Sequence, residues 1–199
     1  MSQLPLVGFH AVAIRRFDRE RNHRIHSISA GTAIRAATAS GAEPQMGYPE
    51  LARILRRVGV AQDGVNRRDA RELFRRMVFN ILMDNTDDHE RNHCLRLGFD
   101  GYYDLAPAFD VVPTLQNMGY QAMVVGQHGA QSTLDNALTD LSEFGLTRAR
   151  AIGLIQEVAH AIEQWPLHFA QHGVCAADME QLAASIDRDA LKDQRKAFC

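Results

Sequence analysis

The densest set of potentially reactive side chains in these 199 residues is Asn85-Thr86-Asp87-Asp88-His89-Glu90-Arg91-Asn92, with Asp110 downstream. Four residues separate Asp87 from Asn92. This spacing is used where a carboxylate orients an attacking hydroxyl and an amide holds a magnesium ion beside a transferring phosphate. The need behind it is geometric. One side chain must face the acceptor hydroxyl and the other the metal, on a short turn that keeps both near the phosphate. A helix does this poorly, because positions five apart on it point in well-separated directions. Asp110 is the candidate second metal ligand. The competing interpretation is a solvated turn capped by its own Asp and Asn, since short acidic and amide-rich loops are common turn formers.

The elements on either side favour a site over a plain turn. Upstream, Ala70, Leu73, Phe74, Met77, Val78, Ile81 and Leu82 recur at three- and four-residue intervals, the most regular helical stripe in the chain. Asn66 is the predicted N-cap of this helix, and its far end delivers Asp84, Asn85 and the loop on a rigid element, as a precise site requires. Downstream, His93 to Leu97 alternates as a strand, Asp100-Gly101 signals a tight turn, and Tyr102 to Leu105 returns. The hairpin is expected to carry Asp110 back towards the loop.

The remaining elements read as a scaffold. Phe9 to Phe17 has apolar residues on both faces and predicts a mostly buried strand. Asp18 to Arg24 is a charged turn, and 25–47 a long loop with one short helix near 32–38. A helix opens at Tyr48-Pro49-Glu50, carries Leu51, Ile54, Leu55 and Val58 on one face, and stops at Gly59. Ala122 to Val125 is a short strand and Leu134 to Glu143 a short helix. Thr147 caps a longer helix with Ile152, Ile155, Ala159 and Ile162 inside, closed by Trp165 before Pro166. Leu167 to His172 and Ala177 to Ile186 are two further short helices, and 188–199 is a polar tail expected to fray. The fold class is therefore mainly α with a small β-hairpin, in one domain over 1–199.

Composition narrows the function. A formal net charge of -2 does not suggest wholesale electrostatic binding to nucleic acid. The arginines at 53, 56, 57, 67, 68, 71, 75 and 76 read either as a basic face for an acidic partner or DNA, or as a solvated helical surface offset by nearby acids. The start of the sequence lacks the pattern of a secretory signal, and no run reaches the roughly 20 apolar residues of a membrane span. Three scattered cysteines without a C-x-x-C pair point to a reducing cytoplasm and away from a disulfide framework or structural zinc. Asp84, Asp87, Asp88, His89 and His93 are rich in ligand types, but they lack the spacing of a zinc hydrolase.

With these segments placed, the chain resembles the C-terminal part of the HipA family of serine/threonine kinases, the toxins of bacterial toxin–antitoxin systems. The resemblance runs through Ile14-Arg15-Arg16-Phe17-Asp18-Arg19, Phe79-Asn80-Ile81-Leu82 and Asn85 to His93. It continues through Leu105-Ala106-Pro107-Ala108-Phe109-Asp110-Val111, Ser132 to Leu138 and Phe144-Gly145-Leu146. It implies the helical C-lobe of a protein-kinase-like fold, with 1–17 as the hinge-strand region, and ATP and Mg²⁺ as cofactors. Asp87 matches the catalytic base, Asn92 and Asp110 the magnesium ligands, and His89 and Arg91 the same loop motif at cofactor-binding positions. Arginine stands at 91 where the family often has lysine; a planar fork there suits a phosphate or a loop carboxylate. The implied partners are a helix-turn-helix antitoxin, DNA through that antitoxin, and a protein substrate such as an aminoacyl-tRNA synthetase. Full-length members carry an upstream glycine-rich phosphate loop and a lysine that contacts the phosphates. Here no lysine precedes Lys192, so the nucleotide-cradling lobe is expected to be missing. The resemblance then leaves three expectations: an active kinase lobe, a catalytically incompetent module, or one half of a split kinase completed by a second chain.

Overall fold

The computed structural model describes residues 2–6 and 9–198, with side chains from residue 13 onward. Two helices form its centre. α2 (Tyr48–Val58) and α3 (Val65–Leu82) pack on each other. The predicted α3 stripe of Ala70, Leu73, Phe74, Met77, Val78, Ile81 and Leu82 is entirely buried. Phe74 meets Phe144 edge to face at 5.3 Å. Truncating Phe74 to Ala is expected to cost about 3–5 kcal/mol through lost burial and a residual cavity, readable as a lower urea midpoint with an unchanged slope.

Around this pair lie α1 (Ala30–Ala37), α4 (Leu134–Ala137), α5 (Arg148–Glu163), α6 (Trp165–Gln171), α7 (Ala176–Ile186) and α8 (Asp189–Lys196). Three small antiparallel sheets complete the described residues: β1 (Ser2–Leu6) with β2 (Phe9–Ala13), β3 (Arg19–Glu20) with β4 (His23–Arg24), and β5 (Ser27–Ser29), β6 (Cys94–Leu97) and β7 (Tyr103–Leu105) in the order β5-β6-β7. In the last sheet Ile28 and Leu105 both face Leu95 across the ladder. The chain is thus mainly α with small β elements, as the patterning indicates, but the hairpin is the larger part of a three-stranded sheet. No helix among the described residues is long and apolar enough to cross a membrane.

Several sequence expectations change. The strand expected from Phe9 to Phe17 ends at Ala13, and Ile14, Arg15 and Arg16 are exposed; Arg16 instead makes a two-pronged ion pair with Asp18. That guanidinium holds the Asp18 carboxyl below its ordinary range. The expected charged turn at 18–24 contains the exposed β3–β4 pair. Asn66 does not cap α3. Gly64 does, at φ 67, while the Asn66 amide donates to the Arg56 carbonyl at 2.7 Å and braces the end of α2. The short strand at 122–125 is an isolated bridge between Gly47 and Val124. The helix expected to reach Glu143 stops at Ala137. Thr147 caps α5 as predicted, accepting from the Arg150 N–H, but Ile152 is only half-buried and Leu154 and Val158 join the inner stripe. The tail does not fray over its described length: α8 buries Leu191 and Arg195. Cys199 lies outside the described residues.

Candidate functional site

α3 is capped by Met83, and Asp84 follows at φ 55, in the left-handed conformation that usually takes glycine after a helix. The Asn85 N–H turns back to the Asn80 carbonyl at 2.9 Å, which closes the helix and starts the loop. Asp84 tolerates this conformation because its groups tie the next elements down. Its carboxylate accepts from the Ser185 hydroxyl at 2.7 Å, pairs with Arg188 at 2.9 Å and accepts from the Asn117 N–H at 3.2 Å. Its carbonyl accepts from the Thr114 N–H and hydroxyl.

The loop itself is clamped from inside. Asp88 and His93 are each 2% exposed, and His93 Nε2 lies 2.7 Å from the Asp88 carboxylate. The same carboxylate accepts the hydroxyl of Tyr48, at the start of α2. Tyr48 in turn accepts from the Asn80 amide at 3.2 Å, and the Asn80 oxygen accepts from the Asn85 amide at 3.0 Å. This buried chain joins α2, α3 and both ends of the loop, and every link in it costs free energy if left unpaired. α1 closes the back. Its leading N–H groups, which lack partners within the helix, donate to loop carbonyls: Ala30 to His93 and Gly31 to Glu90. The loop expected over 25–47 therefore contains β5 and α1, whose cap is Ser29.

Burial and the Asp88 charge hold the Tyr48 hydroxyl well above its ordinary pKa. With the folded value raised, the stability Tyr48 contributes is whole below about pH 10, the ordinary phenol value, and is lost as pH rises further. Tyr48→Phe, which leaves Asp88 short of a donor, is expected to cost about 1–3 kcal/mol at pH 7. Denaturant titrations of variant and wild type should converge as the pH is raised past that point.

Against this frame the predicted site residues fall into two sets. Asn92 is buried at 7% exposure; its N–H caps the turn onto the His89 carbonyl, and its amide nitrogen reaches the Asp87 carbonyl at 3.5 Å. That leaves its side-chain oxygen for another partner. Asp87 is exposed, and its carboxylate has no partner among the described residues. Asp110 is also exposed, at φ 57. It sits midway on a strap fastened at both ends. Ala106 is held by the Cys94 carbonyl and by Arg76, and Thr114 by Asp84 and the Thr86 hydroxyl. Phe109 stacks on Phe17 at 5.6 Å. Phe109 and Val111 share a cavity with Asn92, so the strap does run beside the loop. His89 is half-buried with Nδ1 unpartnered, and Arg91 is exposed.

Asn92 and Asp110 offer oxygen donors only, the set that suits a hard divalent cation such as Mg²⁺. The zinc-hydrolase alternative has no such support. Among the described residues no group of three or more His, Cys, Asp or Glu side chains is placed to hold a metal, and Asp84 and Asp88 are committed elsewhere. The basic-face expectation weakens too, because Arg53, Arg68, Arg75 and Arg76 pair with Glu50, Asp69, Glu157 and Glu72.

Residues 1–165 match the model of a family described as the HipA-like C-terminal domain. The chain belongs to that family. A comparison with curated proteins found no match. Among solved structures, this HipA-like domain is similar to a chain in the complex of HipA, HipB and operator DNA from the Shewanella oneidensis MR-1 toxin–antitoxin system. The TM-score is 0.65 at 15% identity, over 100% of this chain and 50% of that one. The domain thus spans half the length of the structure it matches.

The residues that sequence reading missed are those of the clamp: Tyr48, Asn80, Asp88 and His93. Asp88 and His93 stand five positions apart within the motif, a visible signal, whereas the 40 positions between Tyr48 and Asp88 leave no local trace.

Proposed function

We propose that this HipA-like domain is the C-lobe of a serine/threonine protein kinase and the toxin component of a toxin–antitoxin pair. Supporting this reading is the division of labour in the loop: Asn92 is buried and held by the loop's own backbone, while Asp87, at the catalytic spacing, stands free at the surface. In the reaction the Asp87 carboxylate accepts the proton of a serine or threonine hydroxyl. The oxygen bonds to the γ-phosphorus of ATP as the bridge to the β-phosphate breaks, releasing ADP. Asn92 and Asp110 would hold Mg²⁺, which when bound neutralises charge on the phosphates. His89 and Arg91 would contact the phosphates from the same loop.

The partners follow the same reading: a helix-turn-helix antitoxin, operator DNA through it, and a protein substrate of the aminoacyl-tRNA synthetase kind. A second arrangement of this site is one in which residues from another chain complete the nucleotide cleft. The test is transfer of labelled γ-phosphate into phosphoserine or phosphothreonine, with and without a HipA upstream half added in trans. Transfer in either format, abolished by Asp110→Ala, supports the kinase. Absence of transfer in both formats leaves the incompetent-module reading.

A further inference from the structure

α6 carries a pair of side chains arranged for a chemistry that phosphate transfer does not use. His168 lies in the helix and His172 is its C-cap residue, four positions on, so both project from one face. Their ring centroids are 4.3 Å apart, with the planes inclined at 41°. Both residues are exposed. Two histidines at this spacing on a helix are the arrangement that holds zinc in helical metal motifs.

A hydrogen bond fixes which nitrogen of His172 is available. Its Nδ1 lies 2.7 Å from the His168 carbonyl. A carbonyl only accepts, so Nδ1 carries the hydrogen and donates it. In the neutral ring the lone pair is then on Nε2, at the distal end of the side chain. Metal-ligating histidines are oriented in this way, with one ring N–H tied to a carbonyl and the other nitrogen coordinating. Cys175, three positions further on, is engaged as the cap of α7. Among the described residues no third His, Cys, Asp or Glu side chain completes a cluster. The cavity that His168 borders is lined by none of Asp87, Asn92 and Asp110.

We propose that His168 and His172 form a surface site for a divalent transition-metal ion of the Zn²⁺ or Ni²⁺ type, with water completing its coordination shell. Imidazole nitrogens suit these borderline ions, whereas Mg²⁺ takes oxygen ligands. The pair therefore selects a different ion from the oxygen donors Asn92 and Asp110. A bound ion bridges residues one turn apart and pins the end of α6.

Trp165, the single tryptophan of the chain, opens α6 and packs edge to face on Phe169 at 5.5 Å, so its fluorescence reports on the site. Titration of the untagged full chain with Ni²⁺ should give saturable quenching, and Mg²⁺ should give none. Either His168→Ala or His172→Ala should weaken the apparent Ni²⁺ affinity about tenfold or more, because the second ligand then no longer adds to the first. Both are surface changes that the fold tolerates. His160→Ala, which removes a histidine from α5, should leave the titration unchanged. Quenching that does not saturate in the wild type, or that is equal in the wild type and both pair variants, would overturn the proposal. The titration contains no nucleotide, so its outcome is independent of the kinase reading.

Discussion

Asp87→Asn is expected to lower phosphate transfer by about 10²–10⁴, the usual contribution of a positioned general base, while leaving thermal stability and ATP affinity unchanged. The separation follows from the geometry. Asp87 is exposed and without a partner among the described residues, so its replacement breaks nothing that holds the fold. An amide of equal size keeps the shape of the loop and removes only the ability to accept the hydroxyl proton. Turnover per bound ATP, alongside a melting curve, reads both halves at once. A variant that keeps full turnover would remove Asp87 from the base role, and one that melts early would mean that the carboxylate has a structural task.

The second large effect is on stability and belongs to Asp84. The substitution to make is Asp84→Gly, because glycine suits the left-handed conformation at φ 55 better than aspartate does. Backbone strain is therefore relieved, and any loss is attributable to the carboxylate. That carboxylate is 1% exposed and holds Arg188, Ser185 and the Asn117 N–H together. Its removal leaves the Arg188 charge largely buried and unmatched, at a cost of about 3–5 kcal/mol. For a domain of this size that corresponds to a fall in Tm of roughly 6–20 °C. An unchanged or higher Tm would show that the left-handed strain outweighs the ion pair.

Local patterns carried much of the fold, and the reason is visible residue by residue. The α3 stripe from Ala70 to Leu82 could be read because a helix repeats its buried positions every three or four residues, and all of them are buried. Thr147 was legible as a cap because its partner, the Arg150 N–H, is three residues away. α1 was not legible as a whole. Ala30, Gly31 and Thr32 have weak helical pattern, and two of the helix's leading N–H groups are satisfied by carbonyls about 60 positions further on. α8 reads as a polar tail because a contact that orders it is distant: Gln194 accepts from the Leu134 N–H, 60 positions away. At the site, the spacing of Asp87, Asn92 and Asp110 could be seen directly. The Tyr48 link of the clamp, 40 positions from Asp88, could not, because tertiary hydrogen bonds between distant positions have no period.

The measurement that bears most directly on the central claim is calorimetric titration with ATP, with and without Mg²⁺, of the wild type and of Asn92→Ala, Asp110→Ala and Asp87→Asn, adding the upstream half in trans where the domain alone is silent. The account predicts ATP binding that requires Mg²⁺, weakens about tenfold or more in Asn92→Ala and Asp110→Ala through loss of a metal ligand, and persists in Asp87→Asn. Binding that ignores Mg²⁺, or that survives both ligand substitutions unchanged, would contradict it.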